Sequence, residues 1–180
     1  VVVAAALLLA AGCAGEKGAA SHVTMRIGVG APPPGVRGSG VSSVIDSLST
    51  ETWLTGRPDG TQAERLISAW EWDSARTTLR LRLRGDVYFH DGTKLTPEIA
   101  AIALRKSKTE REVGSLESIV SVDPDGTSGL IIRVSEPSAF VVPDLSLVSV
   151  RLPGDKNVGT GPFRKVREEG QHVILEAFPQ

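Results

Sequence analysis

A mixed α/β fold (α+β), built from β-hairpins and short helices, is what this sequence predicts, and three kinds of stretch predict it. Leu79, Leu81 and Leu83 alternate with Arg80, Arg82 and Arg84. That period of two puts apolar and charged side chains on opposite faces of a half-buried strand. Thr96 followed by Pro97 is a helix start, because the hydroxyl caps the first turn and proline there gives up an N–H that has no intrahelical partner anyway. Asp123-Pro124-Asp125-Gly126 and Glu168-Glu169-Gly170 each separate two apolar runs, which reads as a pair of hairpins.

The remaining elements follow along the chain. Met25, Ile27 and Val29 alternate with Arg26 and Gly28, an expected first strand ending at Gly30. Pro32, Pro33 and Pro34 then impose an extended segment, and residues 35–40 form a glycine-rich loop. Val41, Val44, Ile45 and Leu48 carry the spacing of one buried helical stripe. Residues 66–72 read as a strand with Trp70 and Trp72 on one face, and a turn over residues 74–77 folds it back on residues 79–84. That pairing puts Glu71 and Asp73 on the arginine face, where cross-strand pairs of opposite charge contribute about 0.2–1 kcal/mol each. Ile99, Ile102 and Ala103 mark the expected inner face of the helix that starts at Pro97. Pro143 limits residues 136–147 to a short, broken helix, and residues 148–152 read as a strand.

Composition narrows the function. With 180 residues, 41% hydrophobic and a net charge of −1, the chain can bury one sizeable core, and it has no basic field for nucleic acid. Residues 1–11 are wholly apolar, too few for a bilayer core that needs roughly 20 but suited to the apolar region of a secretory signal. Leu9-Ala10-Ala11-Gly12-Cys13 resembles a lipobox, in which the cysteine is lipidated and becomes the mature N-terminus. Cys13 is the sole cysteine, so no disulfide within the chain is available to explain it. The expected division is therefore a signal peptide over residues 1–12 whose start lies upstream of Val1, a lipidated tether over 13–22, and a folded body over 23–180.

No catalytic constellation is apparent. His90 beside Asp91 lacks further His or Cys at metal-ligand spacing and reads as a turn histidine. Gly159-Thr160-Gly161-Pro162 lacks the Gly-Lys-Ser/Thr of a phosphate loop, and Pro162 removes an amide donor, so it reads as structural. The arginine stripe is most simply a solvated, charge-paired face, the alternative being a site for a carboxylate or phosphate. No cofactor and no metal is expected, and binding is favoured over enzymatic catalysis.

The run LRGDVYFHDGTKLTPE, with NVGTGPFRKV downstream, resembles the signature of bacterial extracellular solute-binding proteins of family 5, the peptide- and nickel-binding lipoproteins of ABC importers. The resemblance implies a type II periplasmic-binding-protein fold, of which this chain would be the N-terminal lobe, continued by a second lobe after Gln180. It implies a monomeric lipoprotein outside the cytoplasmic membrane, held there by its lipid anchor. The protein would capture a peptide or similar small solute between two lobes and pass it to ABC permease subunits. It also implies that the loop between the first strand and first helix faces the cleft, which makes Arg37, Gly38 and Ser39 the candidate ligand contacts. The alternative is a membrane-anchored docking lipoprotein that keeps half of a binding fold and takes no solute.

Cys13 provides a direct test. Each buried acyl methylene contributes about 0.8 kcal/mol, and two or more chains anchor stably. Cys13→Ser is expected to release the protein from the membrane fraction, and equal retention of variant and parent counts against lipidation.

Overall fold

Burial of the alternating leucines places one strand at the centre of the structure. The protein is described by a computed structural model over residues 24–30, 40–110, 114–170 and 172–179. Its elements are α1 (Val41–Ser49), β1 (Glu51–Thr52), β2 (Leu54–Gly56), β3 (Gln62–Glu64), β4 (Ile67–Trp72), β5 (Thr78–Leu83) and α2 (Pro97–Thr109). A 3-10 turn (Gly114–Ser118) leads into β6 (Ile119–Asp125), β7 (Gly129–Val134), α3 (Val141–Asp144), β8 (Ser149–Leu152), β9 (Asp155–Gly159), β10 (Phe163–Glu169) and β11 (His172–Ala177). The main sheet has four antiparallel strands in the order β4-β5-β7-β6. Smaller sheets are β1-β8-β9, β2-β3 and β10-β11.

The phase of β5 is the one its alternation predicts. Leu79, Leu81 and Leu83 are buried, as are Leu130, Ile132 and Val134 of the neighbouring β7, whereas Arg80 and Arg82 are exposed. In the β4–β5 hairpin Glu71 stands opposite Arg80, Trp70 opposite Leu81 and Trp72 opposite Leu79. The acids nevertheless serve differently from the expected charge ladder. Arg80 pairs with Asp125 of β6 at 3.7 Å, and Arg133 pairs with Asp123 at 3.0 Å. Asp73 accepts instead from the backbone N–H groups of Thr77 and Thr78, at 2.9 and 3.1 Å, and closes the hairpin turn. The Thr78 amide is the main cause holding the Asp73 carboxyl below its ordinary pKa. β6 runs through Pro124 to Asp125, which its place at the edge of the sheet permits, since that side needs no donor.

Helix α2 covers the inner face of this sheet. Thr96 caps it by accepting from the Ile99 amide, and Pro97 opens it, as its sequence predicts. The inner face, however, is Ala100, Ala101, Ala103, Leu104 and Ser107, while Ile102 is 48% exposed. Ala103 is buried and Ile99 packs half-buried against the core, as expected, and Ile102 alone of the expected face turns to solvent; the helix lies close to β6, where small alanines beside Leu104 allow the approach.

Three further differences have physical reasons. Residues 24–30 form no strand, and Met25 and Ile27 are 73% and 53% exposed, because no strand among the described residues pairs with them. β3 and β9 are strands over residues where the sequence predicts none, each held by a single antiparallel neighbour, β2 and β8 respectively. Val87 and Phe89 are buried, and Asp91 accepts from Thr93 N at 2.9 Å while Gly92 takes a φ of 87°, the Asp-Gly turn expected there.

The register has a clean test. Leu81→Ala is expected to cost about 2–5 kcal/mol through lost burial and a cavity, and Arg82→Ala less than about 1 kcal/mol. Denaturant melts in which the two variants are equally destabilised contradict the strand phase.

Candidate functional site

The Phe-His-Asp-Gly turn and the Gly-Thr-Gly-Pro segment, remote in sequence, are in contact. His90 donates its backbone N–H to the Gly159 carbonyl at 2.9 Å, and its Nε2 lies 2.9 Å from the Gly161 carbonyl oxygen. A carbonyl only accepts, so Nε2 carries the proton. Nδ1 is buried with no partner among the described residues. The ring meets Phe178 edge-on with centroids 5.0 Å apart, and Phe178 N in turn donates to the Pro162 carbonyl at 2.8 Å. His90 is thus a pin between two loops, with no metal-ligand set around it: among the described residues no group of three or more His, Cys, Asp or Glu side chains is placed to hold a metal ion.

On its other side the glycine segment lies against the end of α1. Gly161 N donates to the Ser49 carbonyl at 3.1 Å. A Cβ on Gly161 would come within 2.5 Å of the Ser49 carbonyl carbon, and one on Gly159 within 2.1 Å of the Ser49 oxygen. Both glycines are needed for close backbone approach, so this segment is structural, as its lack of phosphate-loop chemistry indicates.

What the junction supports is a polar cleft of about 290 Å³, lined by Ser43, Asp46, Ser47, Thr50, Thr52, Arg65 and Ser149. Helix α1 contributes Ser43, Asp46 and Ser47, its C-cap Thr50, β1 Thr52, β8 Ser149, and the link between β3 and β4 contributes Arg65. Asp46 Oδ1 receives Arg151 Nη2 at 3.0 Å. Arg65 Nε donates to Glu51 Oε1 at 3.2 Å, and the Glu51 side chain is only 10% exposed. Burying that carboxylate requires its cation, so Arg65 is fixed from behind. Three hydroxyls donate locally: Ser47 to the Ser43 carbonyl, Thr50 to the Asp46 carbonyl and Thr52 to the Leu54 carbonyl, at 2.9, 2.7 and 2.7 Å. Their remaining capacity toward the cleft is as acceptors.

The sequence missed this cleft, because its residues are common types drawn from separate elements with no spacing pattern. Of the residues it did nominate, Cys13, Arg37, Gly38 and Ser39 lie outside the described residues. Gly40, which closes the nominated loop, takes a φ of 76° as the N-cap of α1, one turn before Ser43 of the cleft. A second cleft of about 470 Å³ lies beside α3 and includes Ser115, Ser118, Glu136 and Phe140. The arginine face is charge-paired and solvated, with Arg80 and Arg133 each bound to an aspartate. No helix among the described residues is long and apolar enough to cross a membrane.

With this geometry in hand, solved structures place the fold. The chain is similar to NikA from Brucella suis in complex with Fe(III)-EDTA, at 20% identity and a TM-score of 0.67 over 73% of this chain and 30% of that one. The oligopeptide-binding protein AppA from Bacillus subtilis, in complex with a nonapeptide, gives 16% and 0.66 over 76% and 32%. A nickel ABC transporter structure from Bacillus halodurans gives 22% and 0.64 over 77% and 31%. The fold is periplasmic-binding-protein-like. This chain spans about a third of the length of those it matches. No protein-family description and no curated protein matches it.

The junction predicts an asymmetry among glycines. Gly161→Ala is expected to destabilise by about 1–3 kcal/mol or more, since backbone has to move to admit the methyl. Gly85→Ala, with nothing within 4 Å of the new Cβ, is the control and is expected to have little effect. Equal thermal melts for the two variants contradict the close approach.

Proposed function

We propose that this chain belongs to the substrate-binding component of an ABC importer, a lipoprotein that captures a peptide or similar small solute outside the cytoplasmic membrane for delivery to permease subunits. The observation that carries the reading is the junction itself. The two stretches that resemble family 5 solute-binding proteins meet across 71 residues, through His90 and Gly161. The surrounding fold is shared with an oligopeptide-binding protein and with a protein named as a nickel ABC transporter.

In this reading residues 1–12 are a signal peptide, Cys13 carries the lipid, residues 13–22 tether the body, and the protein acts as a monomer. Arg37, Gly38 and Ser39 contact the solute: a glycine, having no side chain, lets an extended ligand approach the backbone closely, and Arg37 meets a carboxylate. They precede α1 directly, so the nominated loop and the cleft wall are continuous in the chain. Capture is by closure of two lobes, and this chain supplies one wall. A ligand held on one wall keeps much of its surface in water, so the chain alone is expected to bind weakly.

Calorimetric titration of the full chain with a peptide library tests this. Dissociation constants weaker than micromolar are expected. Micromolar or tighter binding by this chain alone contradicts the need for a second lobe, and its loss in Arg37→Ala then locates the site.

A further inference from the structure

We propose that the cleft between α1, β1, β8 and Arg65 is a subsite for a small zwitterion, with the ligand's ammonium group on the α1 wall and its carboxylate on Arg65. The inference rests on the solute-binding reading and specifies the chemistry this cleft selects.

The two walls offer opposite hydrogen-bonding capacity. On the α1 side, Ser47 and Thr50 direct their hydroxyl hydrogens to backbone carbonyls, as does Thr52 of β1. Each therefore presents lone pairs. Asp46 engages Arg151 through Oδ1, and among the described residues no ion pair occupies Oδ2. A primary ammonium brings three donors and no acceptor, which matches a wall of hydroxyl oxygens and a carboxylate oxygen.

At Arg65 the chemistry inverts. Arg65 uses Nε on Glu51, while no hydrogen bond from its two Nη atoms is made among the described residues. A guanidinium held by Nε keeps its planar Nη edge for a carboxylate. Glu51 and Arg151 stand behind Arg65 and Asp46 as counter-charges, so the cleft carries separated but balanced charge. A simple anion would leave Asp46 Oδ2 unused and a simple cation would leave the Arg65 Nη edge unused; a ligand bearing both charges engages both. At about 290 Å³ the cleft is at the small end of ligand pockets, about 300–1,000 Å³, the scale of an amino acid or one end of a dipeptide.

The test uses the full chain, ¹⁵N-labelled in detergent micelles, titrated to tens of millimolar with alanyl-alanine, its N-acetyl derivative and its C-terminal amide. Amide shifts are expected at Asp46, Ser47, Thr50 and Thr52, with capping of either end weakening binding at least about fivefold. Asp46→Asn is expected to erase the preference for the free amine alone, and Arg65→Gln the preference for the free carboxylate alone. Arg65→Lys, which keeps the cation beside Glu51, is expected to recover part of that preference, and unchanged amide positions away from the cleft verify each variant's fold. Equal affinity for the three probes, preferences that survive both substitutions, or no shift at these residues overturns the proposal. If an oligopeptide mixture or nickel–histidine then shifts other residues, the zwitterion subsite falls while the solute-binding reading stands. If none of the probes shifts any residue, both fall.

Discussion

The contact of Gly161 with the Ser49 carbonyl is the constraint on which the rest of this structure depends. It fixes the end of α1 against the strand β9 and the start of β10, and it leaves no space for a side chain at either Gly159 or Gly161. His90 holds the same segment from the opposite side, by its backbone N–H and by Nε2. Three elements distant in the chain are therefore locked through backbone carbonyls, which do not vary with side-chain identity.

A second consequence concerns the cleft. Its α1 wall is built from the turns that end at Ser49, so the junction sets where Asp46, Ser47 and Thr50 stand relative to Arg65. Arg65 is fixed independently by the mostly buried Glu51. Charged groups held from behind in this way lose less conformational freedom when a ligand arrives, the advantage of a preorganised site. The main sheet contributes stability and position: its leucine face packs under α2, and its arginine face is balanced by Asp123 and Asp125.

What was legible in the sequence divides along physical lines. β5 was legible because one face is buried and the other solvated, so burial writes itself as a period of two. The Thr96-Pro97 helix start and the Asp91-Gly92 turn were legible because they depend on local hydrogen bonds. The inner face of α2 was read in part: Ala103 and Ile99 face the core, but Ile102 does not, because buried Ala100 and Ala101 leave little hydrophobic signal beside an isoleucine. β3 and β9 were hidden because each is short and exists through its neighbour. The expected strand over residues 23–30 had the alternation but has no ladder among the described residues. The cleft was invisible for a different reason: serine, threonine, aspartate and arginine are ordinary surface residues until α1, β1 and β8 bring them together. The two motif stretches, by contrast, were read correctly as structural, and their meeting at His90 and Gly161 is a long-range fact that no local pattern contains.

Native mass spectrometry of the protein purified from its own cells tests the central claim, solute binding by this fold, most directly. A bound small molecule that is retained in gentle ionisation, is lost on unfolding and is exchanged by added solute is the result predicted. A protein free of small molecules under those conditions, and carrying instead a stoichiometric protein partner, contradicts the account and assigns the fold to docking.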